Sequence, residues 1–186
     1  MQHISSPTDL ASHAVCCQSL IIMGVAGSGK STLAQQLSQH LGWQYLEGDD
    51  FHTEDAKQLM ASGIPINNNM RQQWVLRLCD ALKNSAEQGQ AVVLSYSGLI
   101  RQHRQSVRQA AHLPQFIYLH GSEELLSQRL ALRQNHFMPV SMLQSQLATM
   151  ESVEQEPDVL TLDLSMTVEQ LQQQVLAQIG LEASAN

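Results

Sequence analysis

Short apolar runs alternate along this chain with stretches in which apolar residues recur every three or four positions, and that alternation predicts most of the fold. SLIIMGV (19–25) is continuously apolar over one strand length, as expected of a parallel strand covered on both faces. A glycine-rich turn follows, then STLAQQLSQHLG (31–42). There Leu33, Ala34, Leu37 and Leu41 share a helical face and Gly42 supplies a C-cap. WQYLEGD (43–49) predicts a second strand ending in acids. Residues 54–62, 70–87 and 100–111 read as helices, and AVVLSY (91–96) and QFIYLHG (115–121) as strands. SEELLSQRLALRQ (122–134) opens on a serine cap with acids in its first turn, the expected helix start. VLTLDL (159–164) predicts a fifth strand and TVEQLQQQVLAQIG (167–180) a closing helix. Strands alternating with helices imply a parallel, three-layer α/β domain with right-handed crossovers. Its expected limits are residues 18–182, after a loosely ordered extension over 1–17.

One stretch resists this reading. GIPINNNMRQQW (63–74) places three amides in a row ahead of Met70 and Arg71, its only charge. With no apolar repeat at a helical or strand period, it reads as a loop. Asparagines there offer donors and acceptors without charge.

Composition narrows the class. The 186 residues suit one domain with a core stable without staples. A net charge of -7, with only 10 Lys and Arg and no basic run, makes a poor partner for a nucleic-acid backbone. Cys16 and Cys17 are neighbours that cannot easily pair, and with Cys79 they form no zinc spacing. Free thiols in a reducing cytoplasm are the expectation. No apolar run approaches the roughly 20 residues of a membrane span. The N-terminus lacks the basic start and apolar stretch of a signal peptide.

The chemistry begins at GVAGSGKS, which fits G-x-x-x-x-G-K-[ST] at Gly24, Gly29, Lys30 and Ser31, after a strand and before a helix. Backbone N–H groups over Ala26, Gly27, Ser28, Gly29, Lys30, Ser31 and Thr32 are expected to wrap phosphate oxygens, helped by the helix N-terminus. Lys30 is expected to reach the β- and γ-phosphates of ATP, and the Ser31 hydroxyl to bind Mg²⁺. Glu47 and Asp49, two apart, point to one face if the strand persists, beside the phosphate loop. One carboxylate there can orient Mg²⁺ through water and accept a proton from an attacking hydroxyl; Asp50 points away. Acids that merely end a strand are the alternative. No strand ends in an apolar run plus Asp. AVVLSYSG ends in Ser95, Tyr96 and Ser97, which argues against a motor ATPase or GTPase and suits a small-metabolite kinase with hydroxyls at its acceptor site. Arg129 and Arg133, four apart before a loop, suit a lid that neutralises a transferring phosphoryl group. A pair of solvated surface arginines is the alternative, and His136 reads equally as a packed loop histidine.

MGVAGSGKSTLAQQLSQHLGWQYLEGDDFH, followed by MASGIP and RLALRQNHFMPVSMLQSQLATME, resembles the gluconokinase family of P-loop kinases, which phosphorylate gluconate at O6. The resemblance spans about residues 19–164. It rests most on G-D-D-F-H at 48–52, on Gly63 with Pro65, and on R-x-x-H-F at 133–137 followed by Ser145 and Gln146. It implies a P-loop fold of nucleoside-monophosphate-kinase type, with a five-stranded parallel sheet and a mobile lid. ATP and Mg²⁺ are the implied cofactors, with Asp49 as general base and metal-side carboxylate and Arg133 working in the lid beside the nucleotide contact Arg129. A sugar-acid acceptor is implied to meet His52, Arg71, Trp74, Ser97, Arg104 and His136, and a homodimer is compatible with the family.

Departures gather on the acceptor side. Thr53, Ala56 and Leu59 stand where the family has proline, asparagine and lysine, Asn68 and Met70 where it has acids, Gln73 for a proline and Ile100 for a lysine. Losing one ligand-binding lysine is worth about ten- to a hundredfold in gluconate affinity. Lys57 lies two residues from the lost position. Gluconate is the default acceptor. A related sugar acid or polyol, a non-catalytic ATP-binding regulatory protein, and a shikimate- or nucleotide-type kinase stand as alternatives.

Overall fold

All five residues of β1 (Ser19–Met23) are buried, so this strand needs cover on both faces and a strand on each side. The computed structural model, which describes residues 18–132 and 141–181, supplies both. The sheet order is β2-β3-β1-β4-β5, every pair parallel, with β2 at Gln44–Glu47, β3 at Val92–Tyr96, β4 at Pro114–His120 and β5 at Val159–Asp163. Alternate residues of β1 serve two cores. Leu20 and Ile22 pack with Leu33, Ala34 and Leu37 of α1 (Lys30–Leu41) and with Leu171 and Val175 of α7 (Val168–Gln178). Ile21 and Met23 pack with Trp74, Leu78 and Leu82 of α3 (Asn68–Glu87) and with Val107 of α4 (Arg101–Ala110). Two cores on one sheet make the expected three layers. The chain leaves β1 for β2 and β3 on one side, while β4 and β5 lie on the other. A crevice therefore opens at the C-terminal end of β1, where α/β sheets bind ligands.

Side-chain caps set the helix starts. Thr53 begins α2 (Glu54–Ala61), Asn67 begins α3, Ser122 begins α5 (Glu123–Ala131) and Thr167 begins α7, each accepting a backbone N–H three residues on.

Three expectations are corrected. β2 ends at Glu47, not at Asp49, and residues Gly48–Phe51 form a 3-10 turn. Gly48 presses against β3: a Cβ there would collide with the Ser95 carbonyl oxygen and stand 2.9 Å from the Tyr96 Cβ. The presumed amide loop is mostly helix, because α3 starts at Asn68. Ile66, Met70 and Trp74 are spaced by four, and that period was present in the sequence. Ile66 and Trp74 are buried, and Met70 packs on Ala56, Met60, Ile66 and Met142. The third correction is an unanticipated helix, α6 (Ser141–Thr149), whose Met142 and Leu143 are buried. The helix expected over 122–134 ends at Ala131. The expected lid segment with Arg133 and His136, the extension 1–17 with Cys16 and Cys17, and residue 182 lie outside the described residues.

Candidate active site

The loop after β1 turns on left-handed glycines, Gly27 at φ 83° and Gly29 at φ 82°. A Cβ on Gly27 would also sit 2.9 Å from the Leu126 carbonyl oxygen, so this position takes only glycine. Gly29 begins α1 without a side-chain cap, which leaves the first N–H groups of the helix for a ligand. Lys30 and Ser31 are half-buried in that first turn and Thr32 is exposed. Ser28 is buried and its hydroxyl has no hydrogen-bond partner among the described residues. The Ala26 N–H donates to Oε1 of Gln146 on α6 at 2.7 Å.

Glu47 stands beside this loop. Parallel register pairs it with Ser95 of β3, and the Ser95 hydroxyl donates to Oε1 at 2.6 Å. The Tyr45 hydroxyl donates to Oε2 at 2.5 Å, and the Ser31 hydroxyl lies close by. Burial alone would raise the Glu47 carboxyl; the hydroxyls of Ser95, Tyr45 and Ser31, with the Lys30 ammonium, outweigh it and hold it below the usual carboxylate range. Asp49 reaches the site by another route than the strand alternation expected. Its backbone N–H is capped by Glu47 Oε1 at 3.4 Å, and the 3-10 turn aims it into a pocket shared with Lys30, Ser31, His52, Arg71 and Ser97. Asp50 is exposed.

The far side of the pocket is nearly uncharged except for one cation. His52 stacks on Trp74, ring centroids 4.4 Å apart and planes 13° apart. Burial, reinforced by the Arg77 and Lys57 charges, lowers its imidazole to about 4, so the ring is neutral at physiological pH. The Trp74 indole N–H donates to the Gly48 carbonyl at 2.7 Å, so it holds the turn carrying Asp49 and is not open to a ligand. Arg71 is half-buried, and burial pulls its guanidinium below its ordinary range. It meets only Asn68 Oδ1 at 3.2 Å and the Ile66 carbonyl at 3.4 Å, and no carboxylate pairs with it among the described residues. A partly dehydrated cation without an anion attracts a negatively charged ligand. The amide run thus acts locally: Asn67 caps α3 through the Met70 N–H at 2.9 Å, and Asn68 braces Arg71.

Residues 20–157 match a family model described as an AAA domain. A probable gluconokinase of Xenopus tropicalis is 34% identical over 185 aligned residues, which cover 89% of this chain and 97% of that one. The chain belongs to the gluconokinase family. Two solved structures agree: a sugar kinase from Janibacter sp. HTCC2649, unliganded, at TM-score 0.84, 33% identical over 89% of this chain and 95% of that one, and a gluconokinase from Sinorhizobium meliloti 1021 at TM-score 0.78, 33% identical over 87% and 91%. Membership makes the chain an ATP-dependent carbohydrate kinase on a P-loop kinase fold.

In this chain Arg104 corrects an expectation. It is wholly buried, and its donors are engaged by Glu156, by the Gly98 and Leu99 carbonyls and by the Glu151 and Ser152 carbonyls. It ties α4 to the segment before β5 and has no N–H left for a substrate. Arg129 donates to the Leu164 carbonyl at 2.8 Å, so it fastens α5 to the loop after β5. Lys57, near the position of the missing family lysine, pairs with Glu54 at 3.3 Å on α2.

On the far wall of the pocket, the sequence marks Ser145 and Gln146 only through the family resemblance and gives Met142 and Thr149 no role. Met142, Ser145, Gln146 and Thr149 of α6 line this wall, and their three- and four-residue spacing was the available signal. Sequence reasoning also left Tyr45 without a role, although Tyr45 and Glu47 share a strand face.

Proposed function

We propose that this gluconokinase transfers the γ-phosphoryl group of ATP to D-gluconate, giving 6-phosphogluconate. The observation that carries the reading is Arg71, a guanidinium with no carboxylate partner among the described residues, in the same pocket as Lys30, Ser31 and Asp49. An acceptor with a carboxylate at one end and a primary hydroxyl at the other spans such a pocket. Relatives named as gluconokinases at comparable length support the same acceptor.

In this reading Lys30 and the loop amides bind the β- and γ-phosphates, and the Arg71 fork takes the carboxylate of the acceptor. Asp49 accepts the proton of the attacking hydroxyl. His52, neutral and stacked, meets acceptor hydroxyls without adding charge. The hydroxyl of Ser31 beside the ionised Glu47 is a hard-oxygen pair that fits Mg²⁺, and Glu47 takes the metal-side role first expected of Asp49. Mg²⁺ held there supplies charge neutralisation to the phosphates. Arg133 keeps the lid role that its motif implies. The reading also takes 18–182 as one kinase domain working in the cytoplasm, where buried Cys79 stays a thiol.

The test is ADP release with gluconate, other aldonates, neutral polyols and shikimate as acceptors. The expected outcome is gluconate turnover with kcat/KM in the roughly 10⁴–10⁸ M⁻¹s⁻¹ range of effective enzymes. Release with a neutral polyol or shikimate but not with any aldonate would overturn the assignment.

A further inference from the structure

We propose that Tyr45 and Ser95 are positioning residues of the phosphotransfer site, whose two hydroxyls clamp the Glu47 carboxylate against Ser31 and against the turn that carries Asp49. The proposal rests on the reading of the chain as a Mg²⁺- and ATP-dependent kinase and adds to it the device that fixes its metal-side carboxylate.

Glu47 ends β2, a strand paired only with β3 at the edge of the sheet. A glutamate at an edge has three rotatable bonds and water on one side, and nothing in the backbone selects its rotamer. Here the rotamer is selected from both sides. Tyr45, two residues earlier on the same strand face, reaches Oε2 with its hydroxyl. Ser95, the register partner on the neighbouring strand and itself wholly buried, reaches Oε1. The Tyr45 and Ser95 oxygens stand 3.3 Å apart and close the ring. A carboxylate with each oxygen held by a hydroxyl cannot swing.

The arrangement serves the site and not the packing. Dehydrating a carboxylate is costly, and an apolar residue would fill the same space more cheaply. This one stands beside the phosphate loop, with the Ser31 hydroxyl and the Lys30 ammonium near it. A Ser31 hydroxyl that donates a hydrogen bond to Glu47 would turn its oxygen lone pairs outward, as a hard cation needs. Oε1 also caps the N–H of Asp49. One carboxylate thus sets the orientation of the metal-binding hydroxyl and the start of the turn bearing the base.

The experiment uses the full chain with ADP and Mn²⁺ as the metal probe, without acceptor. Mn²⁺ binding in the ternary complex is followed by electron spin resonance, and metal-free ADP binding by calorimetry. Tyr45→Phe and Ser95→Ala, which keep most of the side-chain volume, are expected to weaken Mn²⁺ about tenfold each, the scale of one hydrogen bond to a charged group. Metal-free ADP binding is expected to stay as in the wild type. Glu47→Gln is expected to lose more, and adding Tyr45→Phe to it is expected to cost nothing further, because Tyr45 acts through Glu47. Unchanged Mn²⁺ affinity in both single variants overturns the clamp while leaving the kinase reading intact. An equal loss of metal-free ADP binding also overturns it, because the hydroxyls would then only support the loop. A wild type that binds ADP but recruits no Mn²⁺ overturns the Mg²⁺ reading together with the clamp.

Discussion

Arg71 sits in the first turn of α3 and Arg104 in the first turn of α4, two helices packed side by side on one face of the sheet. Around Arg104 the molecule closes completely. Glu156 meets Nε and Nη2, two carbonyls meet Nη1 and two more share Nη2, and Arg108 carries the ion pair on to Asp158 while lying over the Phe116 ring at 4.6 Å. Around Arg71 the molecule offers one amide oxygen and one carbonyl at long distances. The difference is the carboxylate. A guanidinium neutralised from within is a strut, whereas one dehydrated beside a pocket and paired with no carboxylate among the described residues leaves its charge for a ligand.

Replacing each arginine tests that contrast, and the largest effect is expected at the strut. Arg104→Ala leaves Glu156 buried with only Arg101 and Arg108 nearby. It is expected to cost about 3 kcal/mol or more, or roughly 6–12 °C in Tm, read by thermal and urea unfolding. Acceptor KM should hold at temperatures where the variant is folded; a raised KM with unchanged Tm would erase the distinction between the two sites. Arg71→Ala should do the reverse. Losing a charge-assisted contact of about 1.5–3 kcal/mol lowers kcat/KM for an anionic acceptor some ten- to a hundredfold, with Tm within about 2 °C. Equal losses for a neutral polyol would show that Arg71 shapes the pocket without reading charge.

The next effect is in pH. His52 is held near 4 in the folded chain against an ordinary 6.5, so between those values the unfolded chain binds the additional proton. Its contribution to stability is complete above about pH 6.5 and is lost as pH falls towards 4. The expected loss is of order 2 kcal/mol, or about 4–8 °C in Tm. His52→Phe, which can keep a stacked ring on Trp74, should flatten that limb of the Tm-against-pH curve relative to wild type; a curve of unchanged slope would mean that the ring is solvated. The smallest effect sharpens the contrast from the pocket side. Asn67→Ala removes the cap of α3 and should cost about 1 kcal/mol, with a modest rise in acceptor KM because Arg71 rides on the turn that Asn67 fixes. A KM that does not move would mean that Asn68 alone sets the position of Arg71.

The layers of the sheet and the phosphate loop were legible because their signals are local: a fully apolar strand, glycines that must turn, and a lysine and serine at fixed offset. The expectation for Asp49 needs its strand to continue, but β2 ends at Glu47 and the chain enters a 3-10 turn at Gly48, where only glycine fits against the Ser95 carbonyl. Asp49 lines the pocket all the same, because the 3-10 turn presents its carboxylate there. Arg104 was misplaced because its partner Glu156 lies 52 residues away, and sequence spacing carries no sign of a pairing that only the fold creates. The helical start at Asn68 was hidden by its amides, although the spacing of Ile66, Met70 and Trp74 had announced it.

The hydrogen bond from Ala26 to Gln146 ties the phosphate loop to α6 across the pocket. An unmet amide in a half-buried cradle would make the nucleotide-free form costly, and Gln146 relieves part of that cost from a helix on the far wall. A phosphate oxygen that takes this N–H gains only the difference between two hydrogen bonds, so the amide contributes less to affinity than to choice. A ligand that takes the Ala26 N–H competes for it with Gln146 on α6.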